Sequence, residues 1–198
     1  MSYTHYAMAV PDMPRTADGH AFRLRAGRPS LDLCSTLLWR YRAPTELLRS
    51  PADLVRWIAG AGLSPVPPTA DEHALATALG LREAIYRCAR AHLHGEAPAV
   101  RDRATLNRLA AEPIAAPRID ARRRLAWTAA DPLAAALSAI ARDAIALLTD
   151  PLADRLRECA APDCAFLFLD TSRPGTRRWC APDRCGNRQR VRKHRAAK

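Results

Sequence analysis

Cys159-Ala-Ala-Pro-Asp-Cys164, then Phe166-Leu-Phe-Leu-Asp170, then Arg177-Arg-Trp-Cys180, then Ala-Pro-Asp-Arg-Cys185-Gly-Asn-Arg188 run through the last forty residues of the chain. Each cysteine pair encloses four residues, and fifteen residues separate the pairs. Four thiolates can close a tetrahedral shell around one zinc ion and leave no open position for substrate or water. A metal held this way contributes to the folding free energy of the short segment that binds it. Pro162-Asp163 and Pro182-Asp183 supply turn-forming residues inside the two loops. Gly186, next to Cys185, relieves crowding at a position where an unusual backbone dihedral is expected. Phe166, Phe168 and Leu169 can form a small apolar face that Trp179 closes. One strand or a short hairpin is expected there, then a helix from Cys185 or Gly186.

Two disulfides, or four buried thiols, are the competing readings of these cysteines. Met1-Ser-Tyr-Thr-His-Tyr lacks a basic region followed by a long apolar run, so no secretory signal is expected. A cytoplasmic, reducing location follows as the expectation, and paired cysteines there more often hold metal than bridge. Redox pairs of the thioredoxin kind keep two residues between cysteines rather than four. One structural zinc ion on Cys159, Cys164, Cys180 and Cys185 is the reading carried forward.

Charge is concentrated around the same stretch. The chain has 31 Lys plus Arg against 20 Asp plus Glu, for a net +11, and residues 155–198 alone hold 12 basic against 4 acidic residues. That excess exceeds what is needed to offset a thiolate-bound metal. As a helix, Arg188-Gln-Arg190-Val-Arg192-Lys193-His194-Arg195 places Arg188, Arg192 and Arg195 along one face. Such a face can enter a major groove or track phosphates. Double-stranded DNA is the expected partner, with RNA, or a solubilising tail that binds nothing, as alternatives.

The Cys-x4-Cys pair, the Phe-Leu-Asp-x-Ser-Arg element ending at Arg173, Arg177-Arg178-Trp179-Cys180 and Cys185-Gly186-Asn187-Arg188 together resemble the CGNR zinc finger. In that family the finger follows a mostly helical domain called ABATE, in proteins described as stress-induced transcription regulators. The resemblance implies DNA binding with the four cysteines as zinc ligands. It gives Arg177, Arg178, Asn187, Arg188 and His194 a family setting; with Arg173, Arg190, Arg192, Lys193 and Arg195 they are the expected nucleic-acid contacts. Leu31-Asp-Leu33-Cys-Ser35-Thr36 resembles the opening of the ABATE domain, near Leu-Asp-Phe-x-Asn-Thr. Leu33 and Ser35 stand where the aromatic and the amide are usual, so a ligand role for the amide does not carry over to Ser35.

The rest of the chain reads as a helical domain. At 198 residues it holds one sizeable domain and a small appendage, and a 48% hydrophobic content is too high for a disordered chain. Residues 1–19 are expected to be a flexible leader, 20–154 a mostly helical ABATE-like domain, and 155–198 the finger with its basic helix. The fold class expected is mainly α with a small strand pair or hairpin, closed by a treble-clef-like or ribbon-like four-cysteine finger.

Phe22-Arg-Leu24-Arg alternates as a short strand, and a helix follows Pro29. Ser50-Pro51-Ala-Asp53 opens another, with Ser50 as cap, and Gly60 and Gly62 close it. Thr69-x-x-Glu72 is expected to be the capping box of a long helix reaching His94. A short helix over Val100 to Ala110 follows. Ile119 to Trp127 is expected to form one or two strands completing the early strand or hairpin, with Arg122 to Arg124 as a basic turn able to meet phosphate. Asp131-Pro132 starts a strong helix ending at Asp150-Pro151, and a short helical approach over Pro151 to Glu158 docks the finger. No apolar run is long enough to span a bilayer, so no membrane partner is expected.

Arg40 and Arg42 are candidates for the rim of a ligand cleft, with an ordinary charged rim as the alternative. His73, His92 and His94 read as surface histidines, and Cys34 and Cys88 as small buried hydrophobes. An unknown small-molecule effector and a homodimer are further expected partners, since one finger covers little DNA. An enzyme gains little. There is no His-Glu-x-x-His, phosphate loop or Rossmann glycine pattern, and the zinc is coordinatively closed. A zinc-stabilised protein-interaction module is the remaining alternative.

Overall fold

The computed structural model describes residues 14–16 and 18–196. The expected leader at residues 1–19 therefore lies mostly outside the described residues, and its last part is tied down. Phe22 N–H donates to Pro14 O at 2.9 Å, and Arg15 pairs with Ala21 as an antiparallel bridge.

Among the described residues, six helices build most of the fold: α1 (Pro29–Cys34), α2 (Pro51–Gly60), α3 (Glu72–Leu93), α4 (Val100–Ala110), α5 (Pro132–Thr149) and α6 (Asn187–Ala196). Three two-stranded antiparallel pairs join them: β1 (Leu37–Leu38) with β2 (Thr45–Glu46), β3 (Ala116–Ile119) with β4 (Leu125–Thr128), and β5 (Leu156–Glu158) with β6 (Leu167–Leu169). The fold is mainly α with small β pairs and a four-cysteine, treble-clef-like end.

Local chemistry explains the helix starts. Ser50 caps α2, accepting from Asp53 N–H at 3.2 Å, with Pro51 in the first turn. Asp131 caps α5 by accepting from Leu133 and Ala134 N–H, each at 2.9 Å. For α3 the expected box of Thr69 and Glu72 is not used. Asp71, directly before the helix, accepts from Ala74 N–H at 2.8 Å instead, a carboxylate cap that makes the box redundant.

Three further expectations are corrected. Phe22 to Arg25 forms no strand; Phe22 and Arg23 are both buried, and Ala26 O accepts from Leu169 N–H at 2.8 Å, so the segment is held by tertiary contacts. Among the described residues the 116–128 segment forms its own strand pair, Ala116 to Thr128 through Ile119 to Leu125, and does not complete the early hairpin. The approach to the finger is one tight 3-10 turn, Pro151–Arg155, and then strand β5 rather than a helix to Glu158.

Helices α3 and α5 form the middle of the bundle; α5 packs on α4, α3 and α1, and α3 also carries α2 and β5. Against the expectation of no spanning run, α5 is long and apolar enough by length and composition to cross a membrane. Its Leu133, Ala136, Leu137, Ile140, Ala144 and Leu147 are instead buried in the bundle. Trp57, Phe22, Leu81 and Ile140 are fully buried, and Phe168 and Cys185 of the finger belong to the same continuous cluster. Cys34 and Cys88 are buried within it.

Two buried charges tie elements together through ion pairs. Arg82, 4% exposed, donates to both Glu46 oxygens at 2.7 Å and so fixes β2 on α3. Asp143 accepts from Ser30 N–H and Oγ and pairs with Arg28 at 2.8 Å, tying α1 to α5.

Candidate metal centre and basic helix

The first cysteine pair sits on the turn between β5 and β6. Cys159 N–H donates to Phe166 O at 2.9 Å and Cys164 N–H to Ala161 O at 3.0 Å. Ala165, at φ 53, turns the chain into β6. The second pair is delivered by the loop ending at Cys180 and by a wide turn over Pro182–Gly186 that runs into α6. Gly186 is not at a positive φ. A Cβ there would come within 3.3 Å of the Trp179 ring, so the glycine admits the ring that closes the apolar face and does not serve an unusual dihedral.

The four Sγ atoms lie within 4.8 Å of one another and all four residues are buried. Cys164 to Cys180 is 3.7 Å, Cys180 to Cys185 3.5 Å and Cys185 to Cys164 3.6 Å. A zinc–sulfur bond of about 2.3 Å gives a tetrahedron with sulfur–sulfur edges of about 3.8 Å. None of the cysteines is bridged, and these separations far exceed a disulfide bond of about 2.05 Å. The donor set and its size suit one ion.

Local hydrogen bonding favours thiolate at Cys159. Its thiol is pulled far down by hydrogen bonds from Cys164 and Cys180 and by the N–H groups of Cys180 and Ala161. Hydrogen bonding to Cys159, with burial and its charge added, in turn holds Cys164 up and Cys180 up to about 12. A divalent ion accepting all four sulfurs would relieve that mutual repulsion.

Around the sulfurs stand cations from both parts of the chain. Arg23, 6% exposed, lies with its guanidinium 5.5 Å from the Trp39 ring centroid. Burial lowers its pKa, and the charges of Cys180 and Cys164 oppose that shift. Arg188 covers the same ring at 4.7 Å, donates to Asp163 at 2.6 Å and reaches Cys185 Sγ at 3.9 Å. Trp39 stands at φ 55 on the β1–β2 hairpin of the helical domain.

Further ties dock the finger. Tyr41 Oη donates to Glu158 at 2.5 Å, and Arg25 faces Asp183 at 3.9 Å. A Cβ on Gly27, at φ 89, would meet the Leu169 side chain at 3.3 Å. His92, expected on the surface, is half-buried and bonds Ala153 O at 3.0 Å. Sequence reasoning passed over Arg23 and Trp39 as parts of the site and gave Asp163 only a turn-forming role. Only Asp163, inside the first cysteine loop, carried a local signal.

The expected nucleic-acid contacts divide in two. Arg177 donates to Trp179 O at 2.9 Å and to Cys180 O, and lies 4.4 Å over the Phe168 ring. With Arg188 it is spent on holding the finger together. Arg173, Arg178, Asn187, Arg190, Arg192, His194 and Arg195 are exposed, while the Lys193 side chain lies outside the described residues. Asp170 orders the loop that carries Arg173, accepting from Ser172 N–H at 2.9 Å and Arg177 N–H at 2.8 Å.

The expected rim is not formed as a pair. Arg40 is locked in a bidentate bond to Glu83, at 2.7 and 3.1 Å, and stacks on Tyr86; Arg42 is exposed. A shallow depression of about 530 Å³ lies instead along α3 and the start of α4, lined by Arg87, Arg90, His94 and Arg101.

Comparison with known families agrees with this anatomy. The ABATE family model, described as "Putative stress-induced transcription regulator", matches residues 27–151, and the CGNR zinc-finger model matches residues 155–198. Both are regulatory or zinc-finger domains rather than enzymes. No curated protein matches the chain.

Proposed function

This chain belongs to the ABATE family and closes with a CGNR zinc finger; on that premise we propose that it is a zinc-dependent, DNA-binding transcription regulator. The observation that carries the reading is the placement of a closed four-sulfur site directly before α6, whose Arg190, Arg192, His194 and Arg195 are exposed and unopposed by any acidic residue in the helix. The ion folds the turn that launches α6, and the helix presents cations to phosphates or base edges of duplex DNA. Asn187 and Arg190 stand near its start, the part of a recognition helix that usually reaches base edges. The helical domain fixes the direction of α6 through the Arg188–Trp39 stack, so an effector or a second subunit acting on that domain would alter how the finger is displayed.

The test is selection from a random duplex library with zinc-loaded protein, repeated after chelation and with random RNA in parallel. A discrete duplex motif that disappears on chelation is the expected outcome. Equal retention of all duplexes would reduce the protein to a nonspecific DNA binder. Enrichment of RNA alone, or of nothing, would reject the proposal.

A further inference from the structure

The β3–β4 hairpin is used by nothing described so far. All four residues of β3 are exposed, and only Ala126 and Trp127 on β4 are half-buried. Ile119 and Leu125 face each other across the ladder at its outer end, 80% and 62% exposed. Opposed residues of an antiparallel pair share a face, so the two form one apolar spot. A solvated Ile–Leu pair adds nothing to the stability of such a hairpin.

The turn beyond this pair is basic. Residues 116–128 hold four arginines and one acid. Asp120 accepts from the N–H groups of Arg122 and Arg124 and pairs with the Arg124 side chain at 3.0 Å. Arg122 and Arg123 are exposed and have no side-chain partner among the described residues. Arg123 stands at φ 59, a left-handed position that glycine fills without strain. Two exposed cations without a side-chain partner on one turn are available to an anionic surface.

We infer that this arm is a second contact to duplex DNA, with Arg122 and Arg123 on backbone phosphates and the Ile119–Leu125 pair against the sugar edges of a groove. The inference rests on the DNA-binding reading of the finger and adds a site that no matched zinc-finger residue supplies, since the arm lies within residues 27–151. Charge selects the occupant. A second copy of a chain with net +11 would bring two such arms together against their repulsion, whereas a polyanion releases counterions from each neutralised phosphate. A two-stranded ribbon also has the width that a major groove admits.

The test compares zinc-loaded wild type, Arg122→Ala/Arg123→Ala and Ile119→Ser/Leu125→Ser on one duplex across 50–200 mM salt. Losing two phosphate contacts should lower the slope of log K against log salt by about 1.8, so wild type loses about tenfold more affinity over that range than the arginine variant does. The apolar variant should bind more weakly with an unchanged slope. Unchanged metal content and melting temperature establish that both variants are folded. A wild-type slope in the arginine variant overturns the inference and leaves the finger's role intact, whereas absence of duplex binding by the wild type overturns both. Conversion of a dimer to a monomer by the apolar variant assigns the arm to a second copy and also overturns it. Loss of binding to phosphatidylserine vesicles in the arginine variant, with DNA binding unaffected, does so as well.

Discussion

Arg188 and Arg192 stand one helical turn apart in α6 and are used differently. Arg188 spends its guanidinium on Asp163, Cys185 Sγ and the Trp39 ring, with its side chain 34% exposed and that of Asp163 14%. Arg192 is exposed. Replacing Arg188 with alanine leaves a mostly buried carboxylate without its cation, which should cost about 1–2 kcal/mol after allowance for solvent screening. Lysine should not restore it, because neither the planar stack nor the fork is reproduced. Arg192→Ala should stay within about 0.5 kcal/mol of wild type. Urea midpoints of the zinc-loaded proteins decide this; equal midpoints would place Arg188 on the outward face with Arg192. The basic spacing was legible in the sequence and correctly puts these residues on one helix. What it could not contain was Trp39, a residue remote in the chain, whose arrival turns the first arginine inward. Asp71 makes the same point at smaller range: the expected cap was Thr69, and the geometry of the chain entering α3 gives that place to Asp71 two residues on.

In the four-cysteine element the cysteine turn, once it holds a metal, and the strand pair would stabilise each other. The cysteines between β5 and β6 bring the strands into register, and Phe168, fully buried, anchors β6 in the core. Cys164→Ser should abolish stoichiometric zinc and speed amide exchange across Leu156–Leu169. Phe168→Ala should cost about 3–5 kcal/mol yet leave the ligand set complete, so metal still binds under folding conditions, though less tightly. Metal analysis after gel filtration separates the cases; one zinc retained by Cys164→Ser would reject the four-sulfur assignment. The repeated cysteine spacing made this element readable in advance, since its chemistry is local. The β3–β4 arm was readable only in part. Its strand propensity and basic turn were visible, but the partner of a strand is a tertiary fact, and nothing in the residues says that β3 and β4 form a sheet of two strands among the described residues.

At the scale of the whole molecule, finger and helical domain share one apolar cluster, from Phe22 to Cys185. Strand β6 packs on α1, the Leu169 N–H bonds Ala26 O, and a Cβ on Gly27 would press on the Leu169 side chain at 3.3 Å. A metal ion held by the four cysteines would therefore stabilise more than the residues that ligate it, because any ligand bound only by the folded state adds its binding free energy to whatever unfolds with the site. Chelation should raise amide exchange in α1 along with β5 and β6. Helix α4, held by α3 and α5, should keep its protection. Hydrogen exchange with mass spectrometry on apo and zinc-loaded protein reads this directly. Protection of α1 unchanged by chelation would show that the finger unfolds alone, and the helical domain could not then steer α6 through their contact. Loss of protection in α1 with α4 intact would locate the coupling in the segment from Phe22 to Trp39, which meets the finger at Ala26, Gly27 and the Arg188 stack. An effector acting on the β1–β2 hairpin would then bias the finger through the elements that the metal holds in place.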